Sequence, residues 1–234
     1  MKSTKEIFVK ELKGYFASPI AYIVIAVFLV LTGWFFFSTF FLFNQAELRN
    51  FFALLPVTFA FVVPAVTMRL FSEEFNTGSF ELLATLPVTT LNIVVGKFLA
   101  ASAFVAAMLL PTLAYGVFIA YLGDLDWGPW IGGYLGALLL GAAFSAIGLF
   151  ASSLTKNQII AFIIGMSLCL TLTLIDKMLF FIPEGILGIF QFLGADFHFQ
   201  NIARGILDSR DILYFISVCF VMIYGTTLVV HEKK

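Results

Sequence analysis

Few residues in this chain could do chemistry, and their spacing argues against most kinds. His198 and His231 have no second ligand near them at metal spacing, so each reads as a polar residue at an interface rather than a metal ligand. Cys169 and Cys219 stand alone inside apolar runs and form no C-x-x-C, which points to neither a disulfide framework nor a metal site. There is no G-x-x-x-x-G-K-[ST], so the chain has no Walker loop with which to bind ATP. It also lacks G-x-S-G, H-E-x-x-H and any pair of carboxylates deep in an apolar run. No catalytic, cofactor-binding or metal-ligating set is therefore expected, and the chain does not read as an enzyme. One stretch remains. Glu73, Glu74 and Glu81 flank a Thr77-Gly78-Ser79 turn, with no positive charge between Arg69 and Lys97.

The elements that carry this stretch follow from composition. Hydrophobic residues make up 61% of the 234, charged residues only 12%, and Phe alone occurs 30 times. A soluble domain averages about 45–50% apolar and about 25% charged. With a mean hydropathy of +1.04, the chain reads as an all-α integral membrane protein with lipid as a partner. That excludes a secreted domain, a nucleic-acid binder and a disordered regulator. Thirteen basic and 14 acidic residues leave no excess for a polyanion.

Six runs are long and apolar enough to cross a bilayer as helices: Ile20–Phe43, Asn50–Met68, Phe98–Leu122, Trp127–Leu154, Gln158–Ile175 and Ile212–Val230. The first is too long for a cleavable signal and no A-x-A-like site follows it. With the N-terminus inside, the inner side carries Lys2, Lys5, Lys10, Lys13, Arg69, Lys97, Lys156, Lys233 and Lys234. The outer side carries Arg49, Lys177, Arg204 and Arg210. This asymmetry predicts both termini in the cytoplasm of a bacterial inner-membrane protein.

Two further segments fit that frame. Residues 3–16 pattern as an amphipathic helix on the inner surface, with Ile7, Phe8, Leu12 and Phe16 on one arc; Lys5 and Glu11 interrupt the arc. Ser18-Pro19 ends it and opens the first span. Residues 183–204 are too short for a seventh span and read as a re-entrant or interfacial hairpin on the outer side, with an ordinary loop as the alternative.

The interiors of the six spans carry no Asp, Glu, Lys, Arg or His, which disfavours an ion-coupled carrier. The fourth span has small residues four apart, Gly133, Ala137, Gly141 and Ser145, a row that lets helices approach closely, within one subunit or between two. Ser167 and Thr171 share a face of the fifth span. They could line a translocation surface with Phe59, Val63 and Thr67 of the second, or bond back to their own helix. An aromatic and aliphatic wall of that kind tolerates an amphipathic or lipid-like cargo.

The 73–90 loop is the most informative segment. Its Thr77-Gly78-Ser79 turn leads into two short helical turns over 80–85. Leu86, before Pro87, disfavours further helix, and Thr89 or Thr90 can cap the next span. A helix this short is unstable alone in water and must pack on something, either its own transmembrane ends or a cytoplasmic partner.

The run Glu74-Phe-Asn-Thr-Gly-Ser-Phe-Glu-Leu-Leu-Ala-Thr-Leu-Pro87 resembles the E-x-x-x-G-[ST]-x-E-x-L-x-x-x-P signature of ABC-2 type permeases. The resemblance extends over the whole chain as a single transmembrane domain: a surface elbow helix (3–16), six spans, a coupling loop (73–90) and an outer re-entrant hairpin (183–204). It implies that Glu73, Glu74, Gly78, Ser79, Glu81, Leu83 and Pro87 form a coupling helix seated on a separate ABC ATPase subunit, which holds ATP and Mg. It also implies a second permease subunit, identical or related. Residues 196–214 are similar to the gliding-motility-associated (GldF-like) subgroup. The expected function is export of an amphipathic or envelope-related substrate. The alternative is a non-transporting membrane partner of an ATPase that drives assembly of envelope or motility machinery.

Overall fold

The computed structural model describes residues 2–43, 48–85, 87–122, 126–178, 188 and 191–233, and every regular element among them is helical. In chain order these are α1 (Lys2–Ala17), α2 (Pro19–Phe43), α3 (Arg49–Thr67), α4 (Arg69–Thr77), α5 (Ser79–Ala84) and α6 (Thr90–Leu109). A 3-10 turn (Leu110–Thr112), α7 (Leu113–Leu122), α8 (Trp127–Leu154), α9 (Gln158–Leu174), α10 (Ala195–Ala203) and α11 (Ser209–Glu232) follow. Short polar side chains start four of them. Thr89, Asp126, Asn157 and Asp208 accept hydrogen bonds from the backbone N–H of Asn92, Gly128, Ile159 and Arg210. Each satisfies a donor that a helix start leaves orphaned, worth about 1 kcal/mol.

Three boundaries differ from the sequence expectation. The second span does not stop at Arg69: α4 follows α3 after Met68, which itself keeps helical dihedrals, so the run is helical almost without a break to Thr77. The third span's helix begins at Thr90, at the expected Thr89 cap but ahead of the apolar run from Phe98, because Lys97 is neutralised inside the protein and ends nothing. That same span is interrupted at Pro111, which has no N–H to donate; the Thr112 hydroxyl donates to the Leu109 carbonyl at 2.7 Å across the break. The first half of the expected 183–204 hairpin lies outside the described residues apart from Gly188, and so does the 123–125 part of the link between the third and fourth spans.

Among the described residues, five helical runs are long and apolar enough to cross a membrane: Pro19–Ser38, Arg49–Thr77, Thr90–Tyr121, Trp127–Leu154 and Ser209–Glu232. The apolar α9 is shorter, at 17 residues. Helix α8 forms the centre, against α3, α6, α9, α10 and α11. Its small residues permit this. Gly133 lies on the Phe52 ring, Gly141 on Val105 and Phe59, and Ala137 and Ser145 are fully buried, so the row packs on α3 and α6 of the same chain. Helices α2 and α11 turn large apolar side chains outward, Trp34 and Phe220 among them, as helices bathed in lipid or covered by a partner do.

The bundle has two distinct ends. One holds α1, α4 and α5 with the first turns of α6 and the last turns of α8 and α11. There Lys233 Nζ donates to the Ser153 carbonyl at 2.6 Å and lies 4.5 Å over the Phe75 ring. The N-terminal helix and the end of the C-terminal helix therefore lie at the same end of the bundle. The other end holds α10, the start of α8 and the segment after α9, where Lys177 pairs with Asp196 at 2.5 Å.

Candidate functional site

The acidic stretch lies at the end of the bundle that holds α1 and the last turns of α11. Helix α4 carries Leu70, Phe71 and Phe75 along its inward side and leaves Glu73, Asn76 and Thr77 exposed. Gly78 ends it at φ 71°, a left-handed conformation that costs any residue with a Cβ about 1–2 kcal/mol. The chain thus reverses into α5 within one residue. Six residues cannot hold a helix alone; the anchor is Phe80, 4% exposed, set edge-on to Phe75 at 4.9 Å and to Phe71 at 6.4 Å. With Phe80 driven inward, Gly78, Ser79, Glu81 and Pro87 are left at the surface. The side chain of Leu83 lies outside the described residues.

Glu74 has a different fate. Its carboxylate turns inward and accepts a hydrogen bond from Lys97 Nζ at 2.8 Å. Lys97 is 1% exposed. It also donates to Glu11 of α1 at 3.0 Å and to the Leu70 carbonyl at 2.8 Å, and lies 5.1 Å over the Phe71 ring. One ammonium thus joins α1, α4 and α6. A lone buried ammonium would cost several kcal/mol, and two carboxylates plus a carbonyl offset that. The stoichiometry is uneven: the second oxygen of Glu74 is buried without a hydrogen-bond partner.

Around this junction α1 packs tightly on α6. A Cβ at Gly96 would stand 2.9 Å from Ile7, so glycine is what lets the two helices touch. Tyr15 donates to the Val66 carbonyl at 3.2 Å and stacks on Phe104 at 5.0 Å, and Arg69 lies 5.2 Å over its ring. Burial pushes the Tyr15 phenol well above its ordinary range, which keeps it a donor. Beside the junction a cleft of about 340 Å³ opens between α1 and α4, with Lys10, Glu11, Arg69, Glu73 and Glu74 on its walls.

The five residues considered for a translocation surface do not share one. Phe59, Val63 and Thr67 are fully buried, because α8 and α9 close over that side of α3; Gly148 meets Thr67, and Gly165 meets Pro64. The Thr67 hydroxyl turns back to the Val63 carbonyl at 2.9 Å. Ser167 and Thr171 stand exposed on α9, with the Thr171 hydroxyl donating to the Ser167 carbonyl at 2.8 Å.

At the opposite end the structure gathers charges that sequence order separates. His198 is buried, not interfacial. Its Nδ1 lies 2.6 Å from Asp211, its Nε2 2.8 Å from the Phe192 carbonyl, and its ring stacks on Tyr214 at 4.2 Å. Asp196 joins Lys177 and Gln200. His231 is exposed, and both cysteines are free. Among the described residues no three of His, Cys, Asp or Glu come together as metal ligands.

The Lys97 junction was not anticipated from sequence, although a signal for it exists. Ile93, Val94, Lys97, Ala100, Ala101 and Phe104 follow helical spacing on one buried face of α6, and Glu11 interrupts the apolar arc of α1. Opposite charges inside two apolar faces are each other's natural partners. No curated protein matches the chain. The family model described as ABC-2 family transporter protein matches residues 6–194, which covers most of α1, the acidic segment and every helix from α2 through α9. With a fold built of apolar membrane-length helices, this chain belongs to the ABC-2 family of transporter proteins and is a multi-pass membrane subunit of that type.

Proposed function

We propose that the chain is the permease subunit of an exporter, driven by ATP that a separate ABC ATPase holds with Mg and hydrolyses. The observation that carries this is the exposed Glu81 of α5, which Phe80 locks to a helix that continues into the second span. In this reading Glu73, Gly78, Ser79, Glu81, Leu83 and Pro87 meet the ATPase, while Glu74 serves the interior junction. Helix α1 is an elbow on the cytoplasmic face, and all six apolar helices span. At 1.5 Å per residue, α9 covers about 25 Å of a hydrocarbon core about 30 Å thick, which a local thinning accommodates. Both termini are cytoplasmic in a bacterial inner membrane, and residues 183–204 re-enter from outside. Ser167 and Thr171 face a path shared with a second permease subunit, and the apolar outer faces suit an amphipathic or envelope-related cargo. The 196–214 stretch supports a place in the gliding-motility-associated subgroup.

The test is co-purification of the ATPase with the tagged chain from native membranes. Glu81→Lys should leave the spans inserted while weakening that association by about 1 kcal/mol if the contact is exposed and about 3–5 kcal/mol if it is buried. Association equal to wild type would remove α5 as the contact. A chain that binds the ATPase but gives no cargo-dependent ATP turnover in liposomes would instead be a non-transporting partner.

A further inference from the structure

We propose that Lys97 is the positioning residue that carries a push on α5 into the third span and the elbow helix. It does so by holding Glu74 of α4 and Glu11 of α1 on one buried ammonium. The inference rests on the permease reading and goes beyond it, since it names the joint through which α4 moves the other helices. Three observations support it. First, Lys97 reaches both carboxylates and the Leu70 carbonyl at 2.8–3.0 Å from a position 1% exposed, so these are short, unscreened, charge-assisted bonds. Displacing α4 relative to α6 must either break them or bring α6 along, and breaking them would bury unpaired charge.

Second, the two carboxylates sit on different helices. Glu11 has only Lys97 as an ion-pair partner among the described residues, so the ammonium that follows α4 also draws α1. Third, little besides this joint ties α1 to α4. The cleft between α1 and α4 is open, and Arg69 lies over the Tyr15 ring on its wall.

The test uses the complex of the chain with its co-purified ATPase, reconstituted in liposomes. Lys97→Met alone leaves two carboxylates unpaired and is expected to lose assembly. The informative variant combines Lys97→Met with Glu11→Gln and Glu74→Gln, which removes the charges together. It should insert and bind the ATPase like wild type, yet lose the permease-dependent change in ATP turnover by about 5-fold or more, and Lys97→Arg should retain it. A purely structural role would not separate binding from coupling in this way. Full coupling in the triple variant overturns the proposal. A second measurement does not depend on variant folding. In a chain with Cys169 and Cys219 replaced, spin labels at the exposed positions Lys13 and Asn76 report the distance from α1 to α4, with and without ATP–vanadate trapping. The distance should stay constant, because the joint keeps the helices together. A change of about one helical turn, ~5 Å, means that α4 moves without α1 and contradicts the proposal. If the wild-type chain captures no ATPase at all, the permease reading fails first, and the joint with it.

Discussion

Asp176, just beyond α9, carries a carboxyl oxygen that is buried without a hydrogen-bond partner. Burial, and then the neighbouring Asp196 charge, raise its pKa above the ordinary 3.8. The native state therefore favours the protonated form. The stability this adds is present below the ordinary value and is lost as pH rises through the raised one. Asp176→Asn should accordingly raise the melting temperature at neutral pH and make no difference near pH 3; equal melting curves at both would refute it. Lys177 is raised as well, here because its bond to Asp196 favours the charged form, and the stability this adds is lost only as pH climbs past that raised value. At this scale the sequence was legible where a residue type acts locally. Thr89 caps the third span as its hydroxyl allows, and Gly78 takes the left-handed turn. It was opaque where charges meet across distant segments. Glu74 fits the family signature as well as Glu81 does, and only the approach of α6 and α1 separates their roles.

Among the elements, the α4–α5 unit depends on aromatic packing rather than on helix propensity. Phe80→Ala should remove about 3–5 kcal/mol of packing from a nearly fully buried ring, and the loss should appear as faster hydrogen exchange or proteolysis over 79–85 while the spans stay intact. Unchanged protection would mean that α5 is held by something else. Helix α1 makes a parallel case. Charging Phe8 and Leu12 removes about 1.5–3 kcal/mol of apolar burial for each side chain, and insertion or assembly should suffer; wild-type assembly would leave α1 a mere tail. Element existence could be read from hydrophobic runs because a bilayer demands about 20 apolar residues for each crossing. Boundaries near charges could not. Arg69 and Lys97 looked like span ends, but one lies over the Tyr15 ring and the other is neutralised within the protein, so helix continues through both.

For the whole molecule, α1, α4 and the end of α11 lie at one end of the bundle; under the proposed function this is the cytoplasmic docking face, the side that the Lys/Arg bias favours. The tight seating of α8 explains why the small-residue row belongs inside the chain. It also explains why Phe59, Val63 and Thr67, apolar and polar in a pattern that suggested a path, are closed off by α8 and α9. Nothing in the sequence of α3 alone announces which helices will cover it. The central claim is that the α5 end of the bundle is where ATP-driven force enters. The most direct measurement places a photo-crosslinking residue at Glu81, and as a control at Trp127 on the opposite end, in native membranes. Both positions are exposed. A crosslink from position 81 to an ABC ATPase, with none from position 127, is the predicted result; no ATPase adduct at 81, or equal adducts at both, would contradict it.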